Sequence, residues 1–534
     1  MKLSFALSLA LLPVAALSDE LWISNHTDFP GRKIVLDLVG KTNFTYDAKG
    51  ASLTVREPAI ALHLKNCRNV TIRNLTVDWE RPVLTEARIV AFRDGETRFA
   101  IDRERYPVAV EDGRLLVTGP GRREAIRAVR FLDGRTFEPV QLTADRPFGN
   151  TQVREEADGT ISILADYSRE GVGLKVGDIL VFRPNDRPYP AVFVEDSSDI
   201  VFEDLIVRDA YGMGVIAQMS DNIVWRGTGR ATDRTSGVIP RPGSHVTTHA
   251  DASHFSNCGG QVTVENCWFE GMMDDAINVH STCVQITNVL SRASVRCAFR
   301  HEEAIGFRLF RPGDRARLIR SRTNEDGPVL TVAAVRRISD DTIELDFDAD
   351  LPTGFGVDDT VENADFQCAA SFCGNVVKNN RARGVLFTTP GKVVCNSNRF
   401  ERCCGSAVVL ASDAAYWFES GHCRDVEISG NVISNCLSAG YGRHGSAYAV
   451  VSIDPKVRDL KAQKDFCHSN VRVVGNEIFT HDATLLFARS ATGLVWSNNV
   501  VHVNGDLPAW GKPKFVLDRC GTFATDERGP SPSK

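Results

Sequence analysis

The 534-residue chain has no basic run: 62 Lys+Arg stand against 68 Asp+Glu, a formal net charge of -6. Nucleic acid and anionic membrane surfaces attract clustered Lys and Arg, so neither is an expected partner. After Leu3 to Leu17 no second segment is apolar enough to span a bilayer, so no membrane span is expected. None of the 14 cysteines stands at CxxC spacing, which argues against zinc. A Gly-rich phosphate loop, an HExxH helix and a nucleophile elbow are all missing, and Lys is scarce between 240 and 300. No cofactor or metal is called for.

A hydrophobic content of 43% with 24% charged residues describes an ordinary globular protein with a large core. Met1-Lys2, the apolar run to Leu17 and the small residues of Ala16-Leu17-Ser18 read as a secretory signal over 1–18, followed at once by Asp19-Glu20. An exported protein, periplasmic or secreted, is expected. Thirteen of the cysteines lie beyond residue 257. Cys67 in LKNCRNVTI and Cys258 in FSNCGGQVTV occupy equivalent points of repeating units, where a small buried thiol packs without a bond.

Those units carry the fold. Val70 to Val77, Ile200 to Val207 and Val262 to Phe269 each place an alternating apolar run, then Asn or Asp, then a second short run. Further copies centre on Asn398, Asn431, Asn476 and Asn498, and spacings such as Asn476 to Asn498 match one coil of a parallel β-helix. Period-two alternation makes each run a strand, and the recurring Asn marks a bend at which stacked amides form a ladder.

The expected fold is all-β, a right-handed parallel β-helix with two antiparallel β-barrel-like insertions. Coils are expected over 19–82, 191–300 (holding the active site) and 367–516. The insertions are expected over 83–190, where Asp94-Gly95, Asp112-Gly113, Asp133-Gly134 and Asp158-Gly159 are hairpin turns, and over 301–366. Residues 517–534 are expected as a C-terminal tail.

Reactive polar residues concentrate between Thr247 and Cys283, which holds Asp251, Asp274, Asp275, His249, His254, Asn278 and His280. Asp251 and Asp274 are 23 residues apart, one coil, so three carboxylates meet on neighbouring rungs. If Asp274-Asp275 were in strand geometry one carboxylate would point into the core, so a bend turning both outward is expected. Crowded carboxylates raise one another's pKa, so that one stays protonated beside an ionised neighbour, as glycoside hydrolysis requires. A gap of ~6.5–9.5 Å between the two carboxyl groups would indicate inversion. A solvated turn and a Ca²⁺ site are the alternative readings of the same trio.

The stretch ending in EGMMDDAINVHSTC, with Tyr211-Gly212-Met213-Gly214, Tyr416 to Gly421 (YWFESG) and DWERP at Asp78 to Pro82, resembles glycoside hydrolase family 110, the exo-acting α-1,3-galactosidases. The likeness runs along nearly the whole mature chain. It implies a parallel β-helix, an inverting mechanism, and a galactose-terminated oligosaccharide or glycoconjugate as substrate, either blood-group-B-type or linear. By position Asp274 would be the general acid, with Asp251 and Asp275 handling the water, the roles being exchangeable within the trio. The Asp251-Ala252-Ser253-His254 stretch departs from the family's usual Gly after this Asp.

Supporting substrate contacts are expected from Glu419, through bidentate bonds to galactose hydroxyls, and from Trp417 or Trp79, through stacking on the sugar. Each aromatic taken alone reads equally well as core. His254 and His280 are candidate hydroxyl donors, Asn278 lies in the same motif, and Tyr211 either lines the cleft or caps a coil. The rival readings are a polygalacturonase-like β-helix hydrolase, although its Gly-His-Gly and Arg-Ile-Lys motifs are missing, a polysaccharide lyase, and a non-catalytic carbohydrate-binding β-helix.

Overall fold

A computed structural model describes residues 22–23 and 33–526, apart from 142, 169–172, 185–186, 302–303 and 440–447. The expected signal segment lies outside these residues. Alternating strands stack in parallel into a right-handed β-helix whose coils each contribute to three faces. On the first face Lys33–Val39, Ile60–Lys65, Val192–Glu195, Val215–Gln218, Ser253–Ser256 and Ile277–Ser291 follow in order. The third face is a separate 10-stranded sheet from Ser52–Val55 to Val500–Val503. Register survives the first insertion: Leu62 pairs with Val192, and Val70 with Ile200.

The bend between the second and third faces explains the Asn repeat. Most coils there have a residue in the left-handed region followed by one that turns inward: Asn74-Leu75, Asp204-Leu205, Asn266-Cys267, then Gly374-Asn375, Ser397-Asn398, Gly430-Asn431, Gly475-Asn476 and Asn498-Asn499. The ladder therefore consists of Asn375, Asn398, Asn431, Asn476 and Asn499. Its last rung is Asn499 and not Asn498, whose φ of 54° places it at the left-handed position. The backbone N–H of Asn398 donates to Asn431 Oδ1 at 2.9 Å, and that of Asn431 to Asn476 Oδ1 at 3.0 Å. Each amide also donates to a strand carbonyl, as Asn431 Nδ2 does to Cys395 O at 2.9 Å. In the earlier coils Leu75, Leu205 and Cys267 fill the same place with apolar contact. All 14 cysteines are free, most of them buried, as small core side chains.

Two antiparallel units interrupt the coils. The first spans strands from Thr85–Arg93 to Ile179–Pro184, curled around Ile89, Phe99, Val129, Phe131 and Phe182. The second is a ring: Ile277–Ser291 pairs with Ser294–Ala298, and the ladder runs on through Thr342–Phe347, Glu325–Arg337, Arg315–Arg320 and Thr360–Asn363 back to its start.

This ring begins well before the expected 301. Ile277–Ser291 is one unbroken strand that pairs in parallel at Ile277 to His280 and antiparallel from Ser281 onward, first with Glu419–Ser420 and from Cys283 within the ring. No turn residue marks the change, because only the partner changes. The C-terminal tail is also shorter than expected: Phe515–Cys520 and Phe523–Thr525 form a final coil on Leu486–Ser497. Phe515 packs edge-on against Trp496, with ring centroids 5.5 Å apart, and against Phe523 at 5.3 Å, closing that end of the core.

Asn431→Ala is expected to lower unfolding free energy by about 2–4 kcal/mol, because it strands buried donors and acceptors on two neighbouring coils. Denaturant titration checks this. A loss below about 1 kcal/mol would mean that the ladder follows the register rather than supporting it.

Candidate active site

Three successive coils bend from the third face to the first at Asp251, at Asp274-Asp275, and at Arg383. The pairing Ser253↔Ile277 carries back to set Asp251 opposite Asp275, so the carboxylate expected one coil from Asp251 is Asp275 rather than Asp274. Asp275 N–H donates to Asp251 Oδ1 at 2.9 Å. Single oxygens from the three carboxyl groups lie within 4.8 Å of one another. These nearest-oxygen distances are shorter than the ~6.5–9.5 Å that separates whole carboxyl groups in inverting pairs.

The two adjacent aspartates diverge instead of both turning outward. Asp274 keeps 20% of its side chain exposed, whereas Asp275 has none. Buried Asp275 is held by Arg383, whose backbone N donates at 2.8 Å and whose Nε and Nη2 donate at 3.0 and 2.6 Å. Pairing thus meets the cost that a bend alone was expected to avoid. The ladder Ile277↔Val385 sets Arg383 one coil above Asp275, a coil into which the second ring is inserted. Sequence reading missed Arg383 for that reason: the two lie 108 residues apart. With the insertion cut out, Arg381-Ala382-Arg383 falls at the next equivalent bend.

More arginines surround the trio. Arg187, where the chain returns from the first insertion, donates to Asp274 Oδ2 at 3.4 Å. Arg381 binds Asp145 at 2.6 Å, and Asp145 also pairs with Arg130 at 3.0 Å and with Arg183. Burial pushes the Asp145 carboxyl up, but Arg130, Arg381 and Arg183 outweigh it and hold the group at about 2. Burial brings Arg183 down to about 10.

At Asp274 burial also acts upward, and Arg383, Arg381, Arg187 and Arg183 overcome it, leaving the group below its ordinary value. At Asp251 burial and the Asp274 charge push the carboxyl well up. Burial does the same at Asp275, opposed by Arg383. The cluster therefore separates an ionised, outward-facing carboxylate from neighbours that favour a proton, as acid and base pairs require.

His254 Nδ1 lies 2.8 Å from Asp251 Oδ2, and its Nε2 lies 2.7 Å from Nε2 of His280. Glu419, on a short strand antiparallel to Ser281 and Thr282, brings Oε1 to 3.7 Å from His280 Nε2. Burial raises Glu419, but His280, His254, Arg383 and a bond from Asn278 hold it below the usual range. Asn278 pairs with His254 across the rung, and no hydrogen-bond partner meets its Oδ1 among the described residues.

Trp417, two residues from Glu419, is 55% exposed, and its ring lies tilted against His301 with centroids 4.6 Å apart. Trp79 does not reach the site. Its strand buries alternate residues, so the ring points inward, donating to Glu57 O at 3.2 Å and packing edge-on against Tyr211 at 6.0 Å. Tyr211 is buried too, beneath the Arg122 guanidinium at 4.8 Å, and burial pushes its hydroxyl up to about 12. Both aromatics serve the core.

Arg383→Met is expected to cost about 3–5 kcal/mol at neutral pH by leaving buried Asp275 unpaired. With its native pKa raised further above that of the unfolded chain, Asp275 would take up a proton in the fold. The loss should therefore shrink as pH falls from the variant's native pKa toward the wild-type one, which burial already holds well above the ordinary carboxylate range. Melting curves from pH 4 to 8 read this, and a pH-independent loss would assign Arg383 to packing alone.

Residues 294–361 match the GLAA-B beta-barrel domain II. Alpha-1,3-galactosidase B of Akkermansia muciniphila is 34% identical over 96% of this chain, which spans 63% of that protein's length. Alpha-1,3-galactosidase B of Parabacteroides distasonis is 30% identical over 95% of this chain and 83% of its own. Alpha-1,3-galactosidase A of Bacteroides fragilis is also 30% identical, over 95% of this chain and 83% of its own. With near-complete alignments spanning both insertions, the chain belongs to the α-1,3-galactosidase family.

Proposed function

We propose that this chain is an exported member of glycoside hydrolase family 110 that removes terminal α-1,3-linked galactose, with inversion, from blood-group-B-type or linear glycans. One observation carries the reading: three carboxylates of opposed ionisation sit at one bend, linked through His254 and His280 to Glu419. The names of its relatives supply the sugar and the linkage.

Asp274, the most exposed of the three, addresses the glycosidic oxygen. In this assignment Asp251 and Asp275 hold the attacking water, and one of them gives up its own proton, against the upward push of burial, before it takes that of the water. In the free site arginines keep Asp274 ionised, so substrate displaces Arg187 before Asp274 holds the proton that it donates. Glu419 and Asn278 Oδ1 accept galactose hydroxyls, and Trp417 stacks on the apolar face of the ring. The reverse assignment, with Asp251 as donor, is favoured by its upward shift.

Purified protein given Gal-α-1,3-Gal and the fucosylated B trisaccharide should release β-galactose first, read by proton NMR. First release of the α-anomer would overturn inversion, and cleavage of polygalacturonate alone would overturn the galactosidase reading. Asp274→Asn should lose at least ~10²-fold on these glycans but far less on α-galactosyl fluoride, whose leaving group needs no proton. If Asp251→Asn is the variant that fluoride spares, the donor is Asp251.

Arg187→Gln removes a cation from Asp274 and raises its pKa. The basic limb of the kcat/KM profile should then move to higher pH, and a limb that stays in place would separate Arg187 from the donor.

A further inference from the structure

The hydrogen bonds around Asp251 imply a proton count. His280 Nδ1 lies 2.9 Å from the carbonyl of Ser281, which only accepts, so that nitrogen carries a proton. The 2.7 Å contact between His254 Nε2 and His280 Nε2 needs a second proton between two nitrogens. The 2.8 Å contact between His254 Nδ1 and Asp251 Oδ2 needs a third. Two neutral imidazoles and an ionised aspartate supply only two. Satisfying every contact therefore takes one extra proton, held somewhere along the row of Asp251, His254 and His280.

We propose that His254 and His280 form a two-state proton relay that sets the ionisation of Asp251 from the Glu419 side of the site. In one state Asp251 carries the proton and donates it to His254 Nδ1, while His254 donates from Nε2 to neutral His280. In the other state Asp251 is ionised and accepts from His254 Nδ1–H, and His280 is an imidazolium donating from Nε2 to His254 and facing ionised Glu419. Two proton shifts, one along each hydrogen bond, interconvert the states. No atom or charge enters or leaves.

The groups facing each end bias the balance. Asp274, Asp275, Arg383 and Arg187 act on Asp251. Asn278 and Arg383 act on Glu419. A sugar hydroxyl bonded to Glu419 changes the anion that His280 faces, and so tells Asp251 that the site is filled. His254 and His280 are positioning residues in this scheme. Their part in catalysis rests on the hydrolysis proposed above, while the relay itself is tested without turnover.

The full chain labelled with ¹⁵N-histidine is titrated from pH 4 to 9 and followed by NMR. The relay predicts that the His254 and His280 rings change together in one step. Asp251→Asn, whose amide donates as the protonated acid does, should leave both rings neutral with the proton of His254 on Nε2. Glu419→Gln should shift both rings the same way. Two independent titrations in the wild-type protein would overturn the relay, as would ring shifts unmoved by either variant.

If both variants fail to fold, as read by melting, the wild-type titration alone decides. His280→Gln should lower kcat roughly tenfold to a hundredfold and move its pH profile with KM nearly unchanged. An equal loss at every pH would assign His280 to structure and overturn the relay. Coupled rings in a protein that releases no galactose would leave the relay standing and remove the hydrolytic reading.

Discussion

Parallel register holds this molecule together. Each coil sets a residue about one rung, ~4.8 Å, above its equivalent, so whatever stands at a bend meets its own kind one coil later. Apolar residues stacked this way give a continuous core, and Asn residues give a ladder in which every amide serves two coils. The same rule applied to carboxylates is costly. It brings Asp251 against Asp275 and crowds Asp274 beside them.

Arginines resolve the conflict, and they come from far along the chain. Arg383 stands one coil on, beyond the second ring. Arg187 ends the first insertion, and Arg130 and Arg183 within it share Asp145 with Arg381. The insertions thus belong to the charge balance of the site as much as to its walls. The trio is left with unlike carboxylates, one ionised and two inclined to hold a proton. The histidine row joins Asp251 to the Glu419 side of the site through two short contacts.

Much of the fold was legible because its signals are local. Alternation at Val70 to Val77 or Val262 to Phe269 needs no partner to be recognised, and the aspartates stand close together in DASHF and MMDDAINVH. The ladder was read one residue off at Asn498, because both residues of that bend are Asn and only backbone φ separates the left-handed position from the inward one. The second ring was placed too late because Ile277–Ser291 changes partner without a break. Trp79 was left open between sugar platform and core, and its strand's alternation turns the ring into the core.

The sequence by itself determined the repeat, the bend at which the carboxylates gather, and the family resemblance, since each rests on spacing within a coil or two. Only the tertiary structure decided which aspartate faces solvent, which arginines neutralise its neighbours, and that His254 and His280 meet Nε2 to Nε2. Those outcomes depend on electrostatics over a few ångströms between residues as far as 236 positions apart. Field strength follows distance in space, and a linear chain does not record it.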